Sequence, residues 1–479
     1  MILRSLFNKR FFLIVLCFFV FFPLFALEKQ MTFDEEKIPG PKELVIYVTA
    51  NDWGPSVDKI VFNAGKMIDL QKVRTINFEI YREKRMIINH DRRVDWLEDD
   101  LEVSEVYTSD AYGNKIDEES TYLTAYFKYL PESKYASPFT GTILNNVHDI
   151  YGYRIINSYL DLEIYSMAGM VNSLAAKFKT SELITSGYKM SYAYYNPPKK
   201  NKKRPLIIWL HGISEGGRNP YIALLGIKAV NLASDEIQNC FDEGASVLIP
   251  QSPTTWLETT LLDSNGMRIW EPENISGFIN RYSGTVKSIL SKIISVPLDT
   301  PNTVPMAKTS YYTESLMDLI EVFLEQNPNI DRDRIYIGGC SAGGYMTLNM
   351  LIEKPGFFAA GIPTCEVYVN TKLSDEEIKI LSKVPLWFVQ AETDSMAKPS
   401  TYVSPTYKRL EGFGAKNLHL TMYKGVFDQT GKYFAEKDDE EAPDMPYEYN
   451  GHCSWIYVLN NDPKENGKTI FEWLSEQRR

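Results

Sequence analysis

The chain has 479 residues, 44% of them hydrophobic and 24% charged, with a formal charge of −11. That length exceeds one ordinary core, so two domains are expected, and the balance excludes a disordered chain or a multi-span membrane protein. The acidic excess argues against nucleic acid as a partner.

Residues 1–26 stand apart. Arg4, Lys9 and Arg10 precede an almost unbroken apolar run from residue 11 to 26, ending in Leu24 and Ala26. This pattern predicts a secretory signal peptide cleaved near Ala26, hence export to the periplasm or the medium. An uncleaved membrane anchor is the alternative. Cys17 follows Leu16 inside the apolar run, a poor context for lipidation. Cleavage removes three basic and no acidic residues, taking the formal charge to −14. No later stretch reaches the ~20 apolar residues of a membrane helix, so the mature chain is expected to have no span.

Residues 27–180 read as an all-β domain and linker. Stretches 44–50, 75–81, 121–130 and 159–165 alternate or cluster β-branched and aromatic residues, and Asn51-Asp52-Trp53-Gly54-Pro55 marks a turn. Several short strands without intervening helices suggest a sandwich. Residues 166–180 leave room for a short linking helix.

From residue 181 to 479 the rhythm becomes strand and helix in alternation. Short apolar runs at 206–210, 246–250, 334–338, 359–363, 385–390 and 418–423 are separated by helical patterns such as 311–326. That spacing predicts an α/β domain with a mostly parallel sheet covered on both sides. The basic run 199–204 reads as a solvated hairpin tip, and residues 468–479 as a closing amphipathic helix. Two excursions interrupt the rhythm, an insertion at 257–309 with a possible helix at 285–294, and an acid-rich loop at 425–450. Long connections of this kind act as lids or surface decoration.

After cleavage Cys240, Cys340, Cys365 and Cys453 remain, too few for a disulfide framework in so long a chain. Five histidines, none spaced with a second ligand, predict no metal. No cofactor motif is present.

The sharpest signal is Gly339-Cys340-Ser341-Ala342-Gly343, after an apolar strand and before a helical run. Gly-x-Ser-x-Gly recurs by chance, but that strand-to-helix position is what a nucleophile elbow requires. A second strand runs into His211-Gly212-Ile213 and a glycine-bearing loop. The Ile213 and Ala342 backbone N–H groups are the expected oxyanion donors, one on the loop after an early strand and one after the nucleophile. His211 lies before the nucleophile and is read as a structural histidine. The acid is expected beyond a later strand, where Glu392 and Asp394 stand, with Asp394 preferred. The base is expected last, at His452, because His419 falls within a strand and His90 and His148 lie in the β-rich region. Ser341, Asp394 and His452 thus form the candidate triad.

These pieces carry a resemblance. Leu210-His-Gly with Glu215-Gly-Gly, Pro250-Gln-Ser-Pro with Trp256, Gly343-Gly-Tyr-Met and Gly451-His-Cys-Ser-Trp are similar to the α/β-hydrolase superfamily. The branch they resemble is that of esterases and polyhydroxybutyrate-depolymerase-like enzymes, related to prolyl-oligopeptidase-type serine hydrolases. The layout also resembles exported carboxylesterases with an N-terminal immunoglobulin-like domain. The resemblance implies a cofactor-free serine carboxylesterase acting on a small or polymeric ester through an acyl-enzyme. Here Gln390-Ala391 stands where such relatives often carry His-Gly before the acid. Two alternatives remain, a serine peptidase with the same triad and a non-catalytic glycan- or polymer-binding protein on the same fold.

Overall fold

The computed structural model describes residues 32–479 except 70, 72, 89–92, 132, 143–144, 186–187, 199–201, 258–308 and 438–442. The expected signal peptide, the helix at 285–294, nearly all of the 257–309 insertion and half of the basic tip lie outside the described residues.

The C-terminal half is organised by one eight-stranded sheet. Its strands are β1 (Lys179–Thr185), β2 (Tyr188–Tyr195), β3 (Arg204–Leu210), β4 (Ser246–Gln251), β5 (Ile330–Cys340), β6 (Ala360–Thr364), β7 (Leu386–Ala391) and β8 (Leu418–Tyr423). The spatial order is β1-β2-β4-β3-β5-β6-β7-β8. β2 pairs antiparallel with β1 and β4, and every pairing from β4 through β8 is parallel. The six parallel strands match the six apolar runs of the sequence. The antiparallel hairpin β1–β2 was not resolved by pattern, since β1 exposes most of its residues and shows no sustained alternation.

Side-chain alternation along β3 explains why its sequence is continuously apolar. Ile207 and Trp209 join one core, whereas Leu206, Ile208 and Leu210 join the core of the opposite face. A strand covered on both sides has no polar side to show. The second face is covered by α2 (Thr313–Gln326), α3 (Ala342–Glu353), α4 (Asp375–Leu381) and α5 (Val403–Gly412). The first face is covered by α1 (Pro220–Leu225) and α6 (Ile470–Ser475). Each fully buried Leu, Ile or Val there contributes roughly 1.5–3 kcal/mol. The closing helix is shorter than its sequence pattern, because Lys468–Thr469 pairs with Lys464–Glu465 and Thr469 caps α6 with Glu472 in a capping box.

The N-terminal half is strand-rich. A six-stranded sheet orders Phe33–Asp34, Ser166–Val171, Glu43–Asn51, Gly54–Ile68, Ser120–Tyr126 and Glu105–Ser109. A four-stranded sheet orders Leu162–Ile164, Gly152–Asn157, Glu79–Ile88 and Arg93–Asp100. Ile46, Ile60 and Leu123 of the first share a core with Ile80, Tyr153 and Ile155 of the second. Two expected strands begin later than anticipated, the first running on to Ile88 and the second shortened to three residues. Residues 75–77 form a 3₁₀ turn before the strand at Glu79–Ile88, and a turn with Asp161 at φ 48° delays the next strand to Leu162–Ile164. The expected linking helix is the single turn Ser173–Ala176, capped by the Asn172 side chain accepting from the Ala175 N–H.

The two halves share one core. Phe33 meets Tyr221 of α1 edge-on at 5.0 Å, and Ile46 and Phe62 cluster with Leu224 and Ile237. The acidic excursion folds back antiparallel, Val426–Phe427 against Glu448–Tyr449, with Tyr433 packed edge-on against Trp53. Among the described residues no helix is long and apolar enough to cross a membrane.

Candidate active site

Parallel strands all end on one edge, and the ends of β3, β5, β6 and β7 bring the sequence-selected residues to that edge. Ser341 sits between the last residue of β5 and the first of α3, at φ 57° and ψ −115°. A non-glycine residue there stores backbone strain that the surrounding packing must hold. That packing requires glycine on both sides. A Cβ on Gly343 would lie 2.1 Å from the Leu210 carbonyl oxygen, and one on Gly339 2.6 Å from the same atom. The Ser341 N–H donates to Thr364 O at 3.0 Å, locking the turn to the end of β6. Ala342 opens α3, so its N–H has no acceptor within the helix.

Asp394 follows β7 and is buried. Its Oδ1 accepts from the Met396 and Ala397 N–H groups at 2.8 Å each. Its Oδ2 accepts from His452 Nδ1 at 2.8 Å and from Gln390 Nε2 at 2.7 Å. Burial opposes its charge, but the hydrogen bonds from His452, Ala397 and Met396 outweigh that cost and hold the carboxyl below its ordinary value. His452 stands on a short turn, Gly451–Cys453, started by the Asn450 side chain accepting from the His452 N–H. Gly451 permits this approach, since a Cβ there would fall 2.6 Å from the carbonyl carbon of Thr393.

Ser341 and His452 share no hydrogen bond among the described residues. In ligand-free enzymes such contacts are often long and tighten with substrate.

The loop after β3 carries Ile213 and is pinned by the loop after β4. Gln251 Nε2 donates to Glu215 O at 2.8 Å, the Gly217 N–H to Ser252 O at 2.8 Å, and the Ser252 N–H to His211 Nε2 at 3.0 Å. His211 Nδ1 donates to Gly212 O at 2.6 Å, so its partners assign the neutral tautomer. Burial pushes its pKa down to about 4. His211 is therefore a brace for this loop. His419 lies on β8 between Trp387 and Trp473, bonded to Glu465 and Asn417. His90 lies outside the described residues. Glu392 is paired with Lys424 at 2.8 Å on the surface.

Three buried polar groups near these strand ends belong to no sequence motif for catalysis. Gln390 on β7 donates to Asp394. Glu215 is bonded to Ser214 Oγ at 2.5 Å, and its Oε2 has no partner among the described residues. Burial raises its pKa, with His452 acting in the opposite sense. Glu366, just after β6, accepts from the Tyr368 N–H at 2.5 Å, and burial pushes its pKa up to about 8. Pattern marks apolar runs and motifs, whereas a buried carboxyl or amide has no signature until its neighbours are known. Burial raises the Cys340 and Cys365 thiols, which fits packing roles. Among the described residues no cluster is arranged to hold a metal.

Residues 307–416, spanning Ser341 and Asp394, match the sequence profile of the prolyl oligopeptidase family. No curated protein matches the chain in sequence. Among solved structures, a thermostable esterase covers 91% of this chain and 100% of its own, at 19% identity and a TM-score of 0.59. An acylaminoacyl peptidase from Pyrococcus horikoshii covers 58% of this chain and 42% of its own, at 16% identity and a TM-score of 0.35. The sheet order, the crossover helices and the first of these likenesses define an α/β-hydrolase fold preceded by a strand-rich region.

Proposed function

We propose that the protein is an exported serine hydrolase that cleaves carboxylic esters. The observation that carries the reading is the Asp394–His452 hydrogen bond at 2.8 Å, on the same sheet edge as the strained Ser341 turn. In this mechanism His452 takes the Ser341 proton as the hydroxyl attacks the ester carbonyl. Asp394 holds the Nδ1–H tautomer and stabilises the imidazolium. The Ile213 and Ala342 N–H groups receive the oxyanion. His452 then protonates the departing alcohol, and a water activated by the same imidazole releases the acid from Ser341. Export rests on residues 1–26, whose charged start and apolar run have the signal-peptide form.

The prolyl oligopeptidase profile over residues 307–416 favours a second reading, peptide hydrolysis by the same residues. Esters are preferred because enzymes of that type commonly carry a large propeller ahead of the hydrolase. Here the described N-terminal half forms sheets of six and four strands. The thermostable esterase, moreover, is similar to this chain across both halves.

The test is hydrolysis of p-nitrophenyl acetate, butyrate and decanoate by the mature chain beside Ser341→Ala. Turnover that disappears in the variant supports the esterase. Turnover of short peptides but of no ester would move the assignment to a peptidase, and turnover unchanged in the variant would remove Ser341 from the chemistry.

A further inference from the structure

We infer that Gln390 is a positioning residue for the catalytic acid. It aims the Asp394 carboxylate at His452 and tempers its basicity, an inference that rests on the triad proposed above.

Both hydrogens of one amide nitrogen are committed. Gln390 Nε2 donates to Asp394 Oδ2 at 2.7 Å and to Ala397 O at 2.9 Å. A flipped amide would turn its oxygen onto two acceptors, so these partners determine its orientation. The oxygen it reaches is the one that accepts from His452 Nδ1. The residue is 1% exposed and sits on β7, four positions before the acid, so a rigid strand fixes its reach. The Met396 and Ala397 N–H groups occupy Oδ1 only. Without Gln390, Oδ2 would be held by His452 alone.

A second donor on Oδ2 also spreads the carboxylate's charge, making it a weaker base toward the imidazole. Removing that donor leaves a stronger acceptor, which stabilises the imidazolium more strongly. The other titratable groups near the pair are Glu215 from the loop after β3 and the thiols of Cys340, Cys365 and Cys453. None of them is altered by a substitution at 390.

The experiment measures the second-order rate of labelling by a fluorophosphonate probe from pH 5 to 9, for wild type, Ser341→Ala, Gln390→Leu, Gln390→Glu and Gln390→His. The probe reports serine reactivity whether the natural substrate is an ester or a peptide. Gln390→Leu is expected to label about tenfold more slowly, with its acid limb moved to higher pH. Gln390→Glu can donate only while the introduced carboxyl is protonated, so its labelling is expected to fall at alkaline pH where wild type does not. Gln390→His, restoring one donor, is expected to recover part of the rate. If Gln390→Leu fails to fold by circular dichroism, the pH profile of Gln390→Glu carries the test. Wild-type rates and limbs in Gln390→Leu and Gln390→Glu, with Ser341→Ala unlabelled, would overturn the inference and leave the triad standing. Labelling that persists undiminished in Ser341→Ala would overturn the triad reading itself.

Discussion

Lys228 and Asp52 form an ion pair at 2.7 Å that joins the α/β half to the strand-rich half, with the Asp52 side chain 1% exposed. Asn460 donates to the same Asp52 oxygen at 3.0 Å and accepts from Lys228 Nζ at 3.0 Å, closing a three-residue network. Removing one member of a buried pair leaves an uncompensated charge. Asp52→Ala is therefore expected to destabilise the chain by about 3 kcal/mol. A urea-denaturation midpoint unchanged from wild type would show that the network contributes nothing to the junction.

The Asp394 carboxylate accepts from four donors, and an amide cannot accept on both atoms. In Asp394→Asn the amide nitrogen would replace either Oδ1, facing the Met396 and Ala397 N–H groups, or Oδ2, facing both His452 Nδ1–H and the Gln390 amide, and in the second case the imidazole would settle in the wrong tautomer. Ester turnover is expected to fall on the order of 10⁴-fold with the thermal midpoint within a few degrees of wild type. A loss of less than tenfold at neutral pH would argue that another group orients His452.

Gly343 is where the elbow is tightest. Gly343→Ala would place a methyl 2.1 Å from the Leu210 carbonyl oxygen and 2.7 Å from that of His211. Neither carbonyl can retreat without displacing β3 or the loop that carries Ile213. Loss of turnover together with a drop in melting temperature is expected, and normal values of both would refute this account of the turn.

Two buried groups should set opposite slopes of stability with pH. His211 is neutral when folded, with its pKa pushed down to about 4 by burial. The stability it permits is complete above its unfolded value near 6.5 and is lost as pH falls toward 4. Glu366 has its folded pKa raised to about 8, so its contribution is complete below its unfolded value of 4.5 and is lost as pH rises toward 8. Glu366→Gln keeps the shape without the charge, and is expected to stabilise the protein by ~4 kcal/mol at pH 8 and little at pH 4.5. Melting temperatures across that range decide it. Parallel curves for the two proteins would mean that Glu366 does not resist ionisation in the fold.

Most of the α/β half could be read from its pattern of apolar runs. Five of the six parallel strands were legible because both their faces are buried along short apolar runs, whereas β8 is half-buried throughout and interrupted by His419 and Thr421. The Ser341 turn was legible because its glycines are demanded by local sterics. Elsewhere the pattern was blurred by exposure, as at β1, or by turns inside apolar stretches, as at residues 75–77 and 158–161. The packing of loops is what brings Asp394 to His452, 58 positions away along the chain, and makes Gln390 and His452 converge on one carboxylate oxygen. Strand periodicity reports which face a side chain occupies. It carries no information about which distant polar atom waits there, because that depends on how loops from different strand ends pack together.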